Sequence, residues 1–319
     1  MVAKIIDGRA VAAEIRLELA RRVQSLRAAS AITPGLAVVL VGDNQASKVY
    51  VANKKRACAQ VGVTSFSEDL PTNISTEELV SQIQRLNARA DVHGILVQLP
   101  LPDHIDMRQV LEAIDVSKDV DGFHLYNVGG LVVGQTVFAP CTPYGVLELL
   151  AHEGITVEGS NVVVVGASNI VGKPLGLMLM HGDATVSICH AKTRDLAQFT
   201  ILADILVVAA GVPGLIRAEM VRNGAVVIDV GINRMPDNSI TGDVDFEAVR
   251  QKASFITPVP GGVGPMTVTM LLENTISAAE RSPWRLSTTC GYPTPARGLD
   301  ASSHPPNLIS SAAPATWRK

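Results

Sequence analysis

The sequence predicts an α/β protein built twice over, with mostly parallel sheets and helices on their faces. Three observations carry this. Apolar runs such as "GLAVVLV", "GILVQL", "NVVVV", "DILVVAAG" and "AVVID" read as strands buried on both faces. Stretches of helical period separate them, the alternation that a parallel sheet requires. The alternation stops at "APCTPYG" (139–145) and restarts at residue 161, which divides the 319 residues into two units.

In chain order, residues 9–28 form a helix with Val11, Ile15, Leu19 and Val23 on one stripe. Residues 35–43 are a buried strand, 46–60 a helix and "TSFSEDL" a weak strand. Ser75 opens the next helix, with Glu78 three residues on as a capping box. A strand at 94–102 is stopped by two prolines, and a short helix covers 106–114. Residues 139–145 are the expected hinge, followed by a helix to about His152. The second unit begins with the strand, glycine turn and helix of "NVVVVGASNIVGKP" (161–174). Strands at 185–190, 204–211 and 225–233 follow, at spacings that suit intervening helices. A strand and a glycine-proline loop occupy 255–267, and a helix runs from Met266 to about Glu280. Residues 283–319, rich in Pro, Ser, Thr and Ala without a period, read as a disordered tail.

Composition removes several classes of function. A net charge of −3 and no Lys/Arg-rich run argue against nucleic acid or an anionic membrane surface as partner. The longest apolar runs fall far short of a membrane span, and the N-terminus lacks a signal-peptide core, so a cytoplasmic protein is expected. Cys58, Cys141, Cys189 and Cys290 show neither metal-ligand spacing nor a disulfide framework, so no metal is expected.

"GASNIVGKP" (Gly166 to Pro174) directly follows a strand and opens a helix, the arrangement that turns helix N–H groups toward a pyrophosphate. Ser168 replaces the usual second glycine, and the last glycine, Gly172, comes one position late. The next strand leads into His190, Ala191, Lys192, Thr193 and Arg194, where an NAD enzyme usually carries an acid for the ribose. Lys192 and Arg194 suit a 2′-phosphate, which favours NADP over NAD. Gly211 ends a further strand where a ligand could approach.

"SKVYVANKK" (47–55) raises the question of a reagent lysine. At about 100° per residue, Lys54 lies about 40° from Tyr50 and Ser47 about 60° from it, with Ala57 and Val61 in the same arc. Lys48 and Lys55 fall together on another face. A lysine among small and apolar neighbours loses its proton more easily and can serve as a base; otherwise it snorkels to water. Gln98 sits inside an otherwise apolar run, and Asp119 and Asp121 precede a glycine where turn chemistry alone would explain them.

Taken together, "VGDNQASKVYVANKK", "GILVQLPLP", "KDVDGFH", "PCTPYG", "VVGASNIVGKP" and "ITPVPGGVGPMT" resemble, in order, the motifs of the bifunctional methylenetetrahydrofolate dehydrogenase/methenyltetrahydrofolate cyclohydrolase family of the bacterial FolD type, from about residue 3 to 281. The resemblance implies an N-terminal α/β folate-site domain (1–140 plus 269–282), a Rossmann-like NADP-binding domain (141–268), a cleft between them, and a homodimer. It implies Lys54 as the catalytic lysine, Gln98 as its partner, Tyr50 stacked on the folate, Asp121 on the pterin N–H edge, and Ser47, Gly262 and Pro265 lining the substrate site. It implies Gly166, Ala167, Ser168, Ile170, Gly172, His190, Lys192, Arg194, Gly211 and Ile232 along the cofactor. Some members carry Arg after the first glycine and Ser after the histidine; here Ala167 and Ala191 stand there, so Lys192 and Arg194 would have to hold the 2′-phosphate. A dehydrogenase without hydrolase activity and a catalytically silent folate binder are the competing expectations.

Overall fold

The computed structural model describes residues 2–282; the expected disordered tail and Cys290 lie outside the described residues. The chain opens with β1 (Lys4–Ile5), α1 (Gly8–Ser30), β2 (Gly35–Val41), α2 (Gln45–Val61), β3 (Thr64–Leu70), α3 (Thr76–Ala88), β4 (Gly94–Val97), α4 (Met107–Glu112), α5 (Leu125–Val133) and α6 (Cys141–His152). It continues with β5 (Asn161–Val165), α7 (Gly172–His181), β6 (Thr185–Cys189), α8 (Ala197–Thr200), β7 (Ile205–Val208), β8 (Val226–Asp229), β9 (Asn233–Arg234), β10 (Ile240–Thr241), α9 (Phe246–Arg250), β11 (Phe255–Ile256) and α10 (Val263–Arg281).

The smaller parallel sheet has the order β3-β2-β4. Every residue of β2 is buried, and its side chains divide by parity, as a strand's pleat requires. Leu36, Val38 and Leu40 pack with Leu19 and Val23 of α1, Val51 of α2 and Met270 of α10. Ala37, Val39 and Val41 pack with Leu79 and Ile83 of α3 and Val110 of α4. Each such Val, Leu or Ile side chain contributes about 1.5–3 kcal/mol by leaving water. Ser75 caps α3 in a reciprocal box with Glu78, as the sequence predicts.

The larger sheet, order β1-β11-β8-β7-β5-β6, is parallel throughout. β5 is flanked by β6 on one side and β7 on the other, so the chain reverses its direction of travel across the sheet at β5. A crevice opens beyond the carboxyl ends of the strands at such a switch point. The N-terminal β1 joins this sheet beside β11, and α10 packs back on α1 and α6. Arg22 fastens that packing: its Nη1 donates to both carboxylate oxygens of Glu273 at 2.7 Å, and its Nη2 to Glu280 at 2.9 Å.

Three local expectations are corrected. The hinge stretch is largely the first turn of α6, which begins at Cys141 with Pro143 at its third position, where a missing N–H costs no intrahelical bond. α5 escaped notice because "LYNVGGLVV" contains a glycine pair, which lowers helix propensity. Between β7 and β8 there is only a single 3₁₀ turn, Ala218–Met220, rather than a helix. In addition, α10 starts at Val263, three residues ahead of the expected Met266. Among the described residues, no helix is long and apolar enough to cross a membrane.

Candidate active site

α2 positions the lysine. Asn44 caps it by accepting the Ser47 N–H at 3.1 Å, and Gly62, at φ 82°, ends it. Ser47, Ala57 and Val61 are buried, so their arc faces the protein, as the helix phase predicts. On the opposite side Lys48 pairs with Asp43 at 2.6 Å and Lys55 is exposed. Tyr50 and Lys54 lie between, at the border of protein and solvent.

Lys54 Nζ donates to Gln98 Oε1 at 2.9 Å. Gln98 follows the last residue of β4, and its Nε2 donates to the Leu99 carbonyl at 2.7 Å. That second bond orients the amide, so only its oxygen faces the lysine. Burial lowers the Lys54 pKa, opposed by the nearby Asp121 carboxylate. Burial pushes Asp121 up to about 6, against the pull of Lys54 and with a further push from Asp119.

The two aspartates of "KDVDGF" divide cleanly. Asp119 is fully enclosed and accepts from the Phe123 and His124 N–H groups and from Asn127 Nδ2, the last at 2.7 Å. It builds the turn into α5. Among the described residues Asp121 accepts no hydrogen bond from a backbone N–H; it stands two residues along, in the field of Lys54.

A cleft of about 450 Å³ runs past Tyr50, which is 39% exposed, between α1, α2, the segment after β8 and the loop before α10. Gly262, Pro265 and Ile232 also line it, whereas Lys54, Gln98 and Asp121 do not; they form a separate group one helical turn beyond Tyr50. Three guanidinium-bearing residues on this cleft, Arg9, Arg16 and Arg56, were not singled out from the sequence. Each lies on an ordinary polar helix face, and only the packing of α1 against α2 turns them to one side.

The second group of expected residues meets at the switch point. Gly166, at φ 122°, follows β5, and a Cβ there would lie 2.1 Å from the Ala209 carbonyl oxygen. A Cβ on Gly172 would lie 1.8 Å from the Gly166 oxygen. The six-residue glycine spacing therefore answers a crossing of backbones in the turn, which leaves helix N–H groups uncovered. The Ser168 hydroxyl accepts the Val171 N–H at 3.1 Å and that of Gly172 at 3.4 Å, and Ala167 and Ile170 complete the turn. Gly211, at φ 69°, has open space where a Cβ would stand. His190 Nδ1 accepts the Lys192 N–H at 3.1 Å in the turn after β6, leaving the Lys192 and Arg194 heads exposed. Among the described residues neither forms an ion pair.

A glycine turn at the switch point of a parallel sheet, beside a cleft bordered by a desolvated lysine, defines a dinucleotide-dependent α/β enzyme of two domains. The sequence comparisons make this specific. The tetrahydrofolate dehydrogenase/cyclohydrolase family matches the chain through its catalytic domain at residues 6–121 and through its NAD(P)-binding domain at residues 140–283. The chain belongs to that family. The bifunctional protein FolD of Nitrosospira multiformis is 56% identical over 286 residues, covering 90% of this chain and 99% of that protein. Among solved structures, the FolD dehydrogenase/cyclohydrolase of Campylobacter jejuni superposes with a TM-score of 0.86 at 52% identity, covering 87% of this chain and 99% of its own. The Trypanosoma brucei FolD, solved with NADP cofactor and inhibitor, gives 0.85 at 42% identity, covering 88% and 99%.

The two lysine faces of α2 give a direct control. Lys55→Ala should leave both activities within about twofold of wild type, because Lys55 is an exposed surface residue and such substitutions usually cost under 0.5 kcal/mol. Steady-state rates of both reactions check this; a dead Lys55→Ala enzyme would mean that the wrong face of α2 carries the chemistry.

Proposed function

We propose that this chain oxidises 5,10-methylenetetrahydrofolate to the 5,10-methenyl form with NADP⁺ and then hydrolyses the product to 10-formyltetrahydrofolate. The observation that carries the reading is the Lys54–Gln98 bond beside Asp121, at the border of the Tyr50 cleft. In this reading the chain divides into a folate-site domain of 1–140 plus 269–282 and a cofactor domain of 141–268 with the cleft between them, and the N-terminal β1 crosses over to complete the larger sheet.

In this reading Tyr50 stacks on the folate, Asp121 accepts the pterin N–H edge, and Ser47, Gly262 and Pro265 line the site. The residues at the switch point fit a dinucleotide: the Gly166–Gly172 crossing clears space for phosphate oxygens, Ser168 holds the turn, and Lys192 and Arg194 are free to meet a 2′-phosphate. His190 sets the turn carrying that pair, while Ala167, Ile170, Gly211 and Ile232 flank the remainder. The bound cofactor supplies the hydride acceptor. For that step the chain's task is placement, since the folate nitrogens stabilise the cation that forms.

Hydrolysis needs a base. The water oxygen bonds to the methenyl carbon while Lys54 Nζ takes one of its protons, leaving a neutral hydroxyl adduct. As the carbon–N5 bond breaks, the lysine returns that proton to N5, and the remaining hydroxyl proton passes to solvent as the formyl C=O forms. Gln98 holds the amine through one N–H and leaves its lone pair free. Burial lowers the lysine's pKa, so a larger fraction is neutral, and the hydrolytic rate rises with pH through that lowered value.

The homodimer that the family resemblance implies has a suitable surface. β6 is an edge strand with one hydrogen-bonding side open, and the exposed side chains of Val132, Val133, Met180 and Ile188 are carried on the contiguous α5, α7 and β6. A cytoplasmic enzyme acting on small molecules, with neither nucleic acid nor membrane as partner, is consistent with the charge and hydropathy of the chain.

The deciding experiment incubates the protein with methylenetetrahydrofolate and NADP⁺ or NAD⁺ in turn, following reduced cofactor, methenyl intermediate and formyl product together. Reduction preferentially with NADP⁺, followed by formyl product, is expected; no reduction with either cofactor would defeat the reading. A pH series adds a second test. Asp121 accepts the pterin edge as a carboxylate and titrates at about 6, so the affinity for a non-reactive folate analogue falls as pH drops through that value. Asp121→Asn binds weakly at every pH and loses the inflection; an inflection that survives in this variant belongs to another group.

A further inference from the structure

Two buried carboxylates at the carboxyl end of the larger sheet have no part in the chemistry above. Asp243, fully enclosed, accepts the Ala210 and Gly211 N–H groups on one oxygen, at 2.7 and 2.8 Å, and Asn233 Nδ2 on the other at 2.7 Å. Asp229, 4% exposed at the end of β8, accepts the N–H groups of Gly231 at 2.9 Å, Asp243 at 3.1 Å and Val244 at 2.9 Å. Among the described residues neither has a lysine or arginine partner. Burying a carboxylate without a cation is costly unless hydrogen bonds replace its water. Here they come from the loops at the carboxyl ends of β7 and β8 and from the segment after β10.

The geometry is tight. A Cβ on Gly231 would lie 2.3 Å from the Asp243 carboxylate carbon, and one on Gly242 would lie 1.9 Å from Asp229 Oδ2. The Ala210 N–H points at Asp243, so in a trans peptide the Ala209 carbonyl points the opposite way, where it meets Gly166. Asp243 thus ties the loop at 209–211 to the Asn233 side chain, and the 209–211 loop in turn abuts the turn at 166.

We propose that Asp243, backed by Asp229, is a positioning residue for the dehydrogenase step: it presets the 209–211 and 231–233 loops against the Gly166 turn to receive the cofactor, and takes no part in hydrolysis. The inference rests on the reading that these segments hold the nicotinamide cofactor. Presetting the loops removes an ordering cost from cofactor binding, so its loss weakens that binding rather than the folate chemistry.

The test compares wild type, Asp243→Asn, Asn233→Asp and the double variant. For each, NADP⁺ affinity is measured by calorimetry, cofactor KM and kcat by steady-state kinetics, and methenyltetrahydrofolate hydrolysis without cofactor. In Asp243→Asn the two backbone donors keep only a neutral amide oxygen in place of a carboxylate, even where Asn233 turns its own oxygen to accept from the new NH₂, and NADP⁺ affinity should fall at least tenfold, with hydrolysis within twofold of wild type. The double variant moves the charge across the same hydrogen bond, so Asn at 243 accepts the backbone donors and donates to the new carboxylate; most of the affinity should return. NADP⁺ affinity unchanged in Asp243→Asn, hydrolysis falling in step with binding, or no recovery in the double variant would each overturn the proposal. If Asp243→Asn does not fold, Asn233→Ala removes one partner only and should weaken NADP⁺ at least threefold with hydrolysis retained; unchanged affinity there also overturns it. A wild-type chain that bound neither NADP⁺ nor NAD⁺ would instead remove the cofactor reading beneath it.

Discussion

Replacing Lys54 by alanine abolishes methenyltetrahydrofolate hydrolysis, with a fall of roughly 10²–10⁴-fold, the usual contribution of a positioned general base. Folate binding persists, because Tyr50 and Asp121 are left in place. Burial lowers the pKa of the lysine's amine, and among the described residues Gln98 presents its oxygen to no other side-chain donor. Lys54→Arg should fail nearly as badly, since a guanidinium does not give up its proton near neutral pH. Stopped-flow loss of methenyl absorbance, with binding of a folate analogue measured alongside, checks both variants. Hydrolysis at a normal rate in Lys54→Ala would end the assignment of the base.

The second large effect is expected from a single methyl group. Gly172→Ala places a Cβ 1.8 Å from the Gly166 carbonyl oxygen, a backbone atom that no rotamer change can move aside. Either the start of α7 or the glycine turn must shift, and both belong to the proposed phosphate cradle. Cofactor binding should fall beyond about a hundredfold, and dehydrogenase turnover with it, while cofactor-independent hydrolysis continues. This is the mirror image of Lys54→Ala, and together the two variants separate the reactions. Measuring cofactor KM, hydrolysis and thermal melting on one preparation distinguishes a displaced turn from a lost fold. A normal cofactor KM in Gly172→Ala would show that the turn is not the cradle.

Much of the architecture follows from local pattern. The parity of β2, the Ser75–Glu78 box and the capped start of α2 depend on residues within a few positions of one another, and each is legible in the chain. So is the division of α2 into a Lys48/Lys55 side and a Tyr50/Lys54 side, because 100° per residue is a property of the backbone. The same reasoning passed over α5, where a glycine pair hides a helix that the Asp119 turn and Asn127 hold in place. It also expected a helix between β7 and β8, where one 3₁₀ turn makes the connection.

By itself, then, the sequence determined two parallel α/β units, a glycine turn after β5, and a lysine on the inner side of a helix. The tertiary structure decided which groups those features meet. Lys54 and Gln98 are 44 residues apart and touch because β4 ends beside α2. Asp119 and Asp121 are indistinguishable as letters, yet packing encloses one in a turn and leaves the other in the field of the lysine. Asp229, inside an expected strand, and Asp243, beyond it, do not stand out in the chain until the fold buries them among backbone donors from separate loops. The reason is physical: helix phase, strand parity and caps are set by covalent geometry over a few residues. Desolvation, charge pairing and backbone crossing depend on distances between segments that only the folded packing fixes.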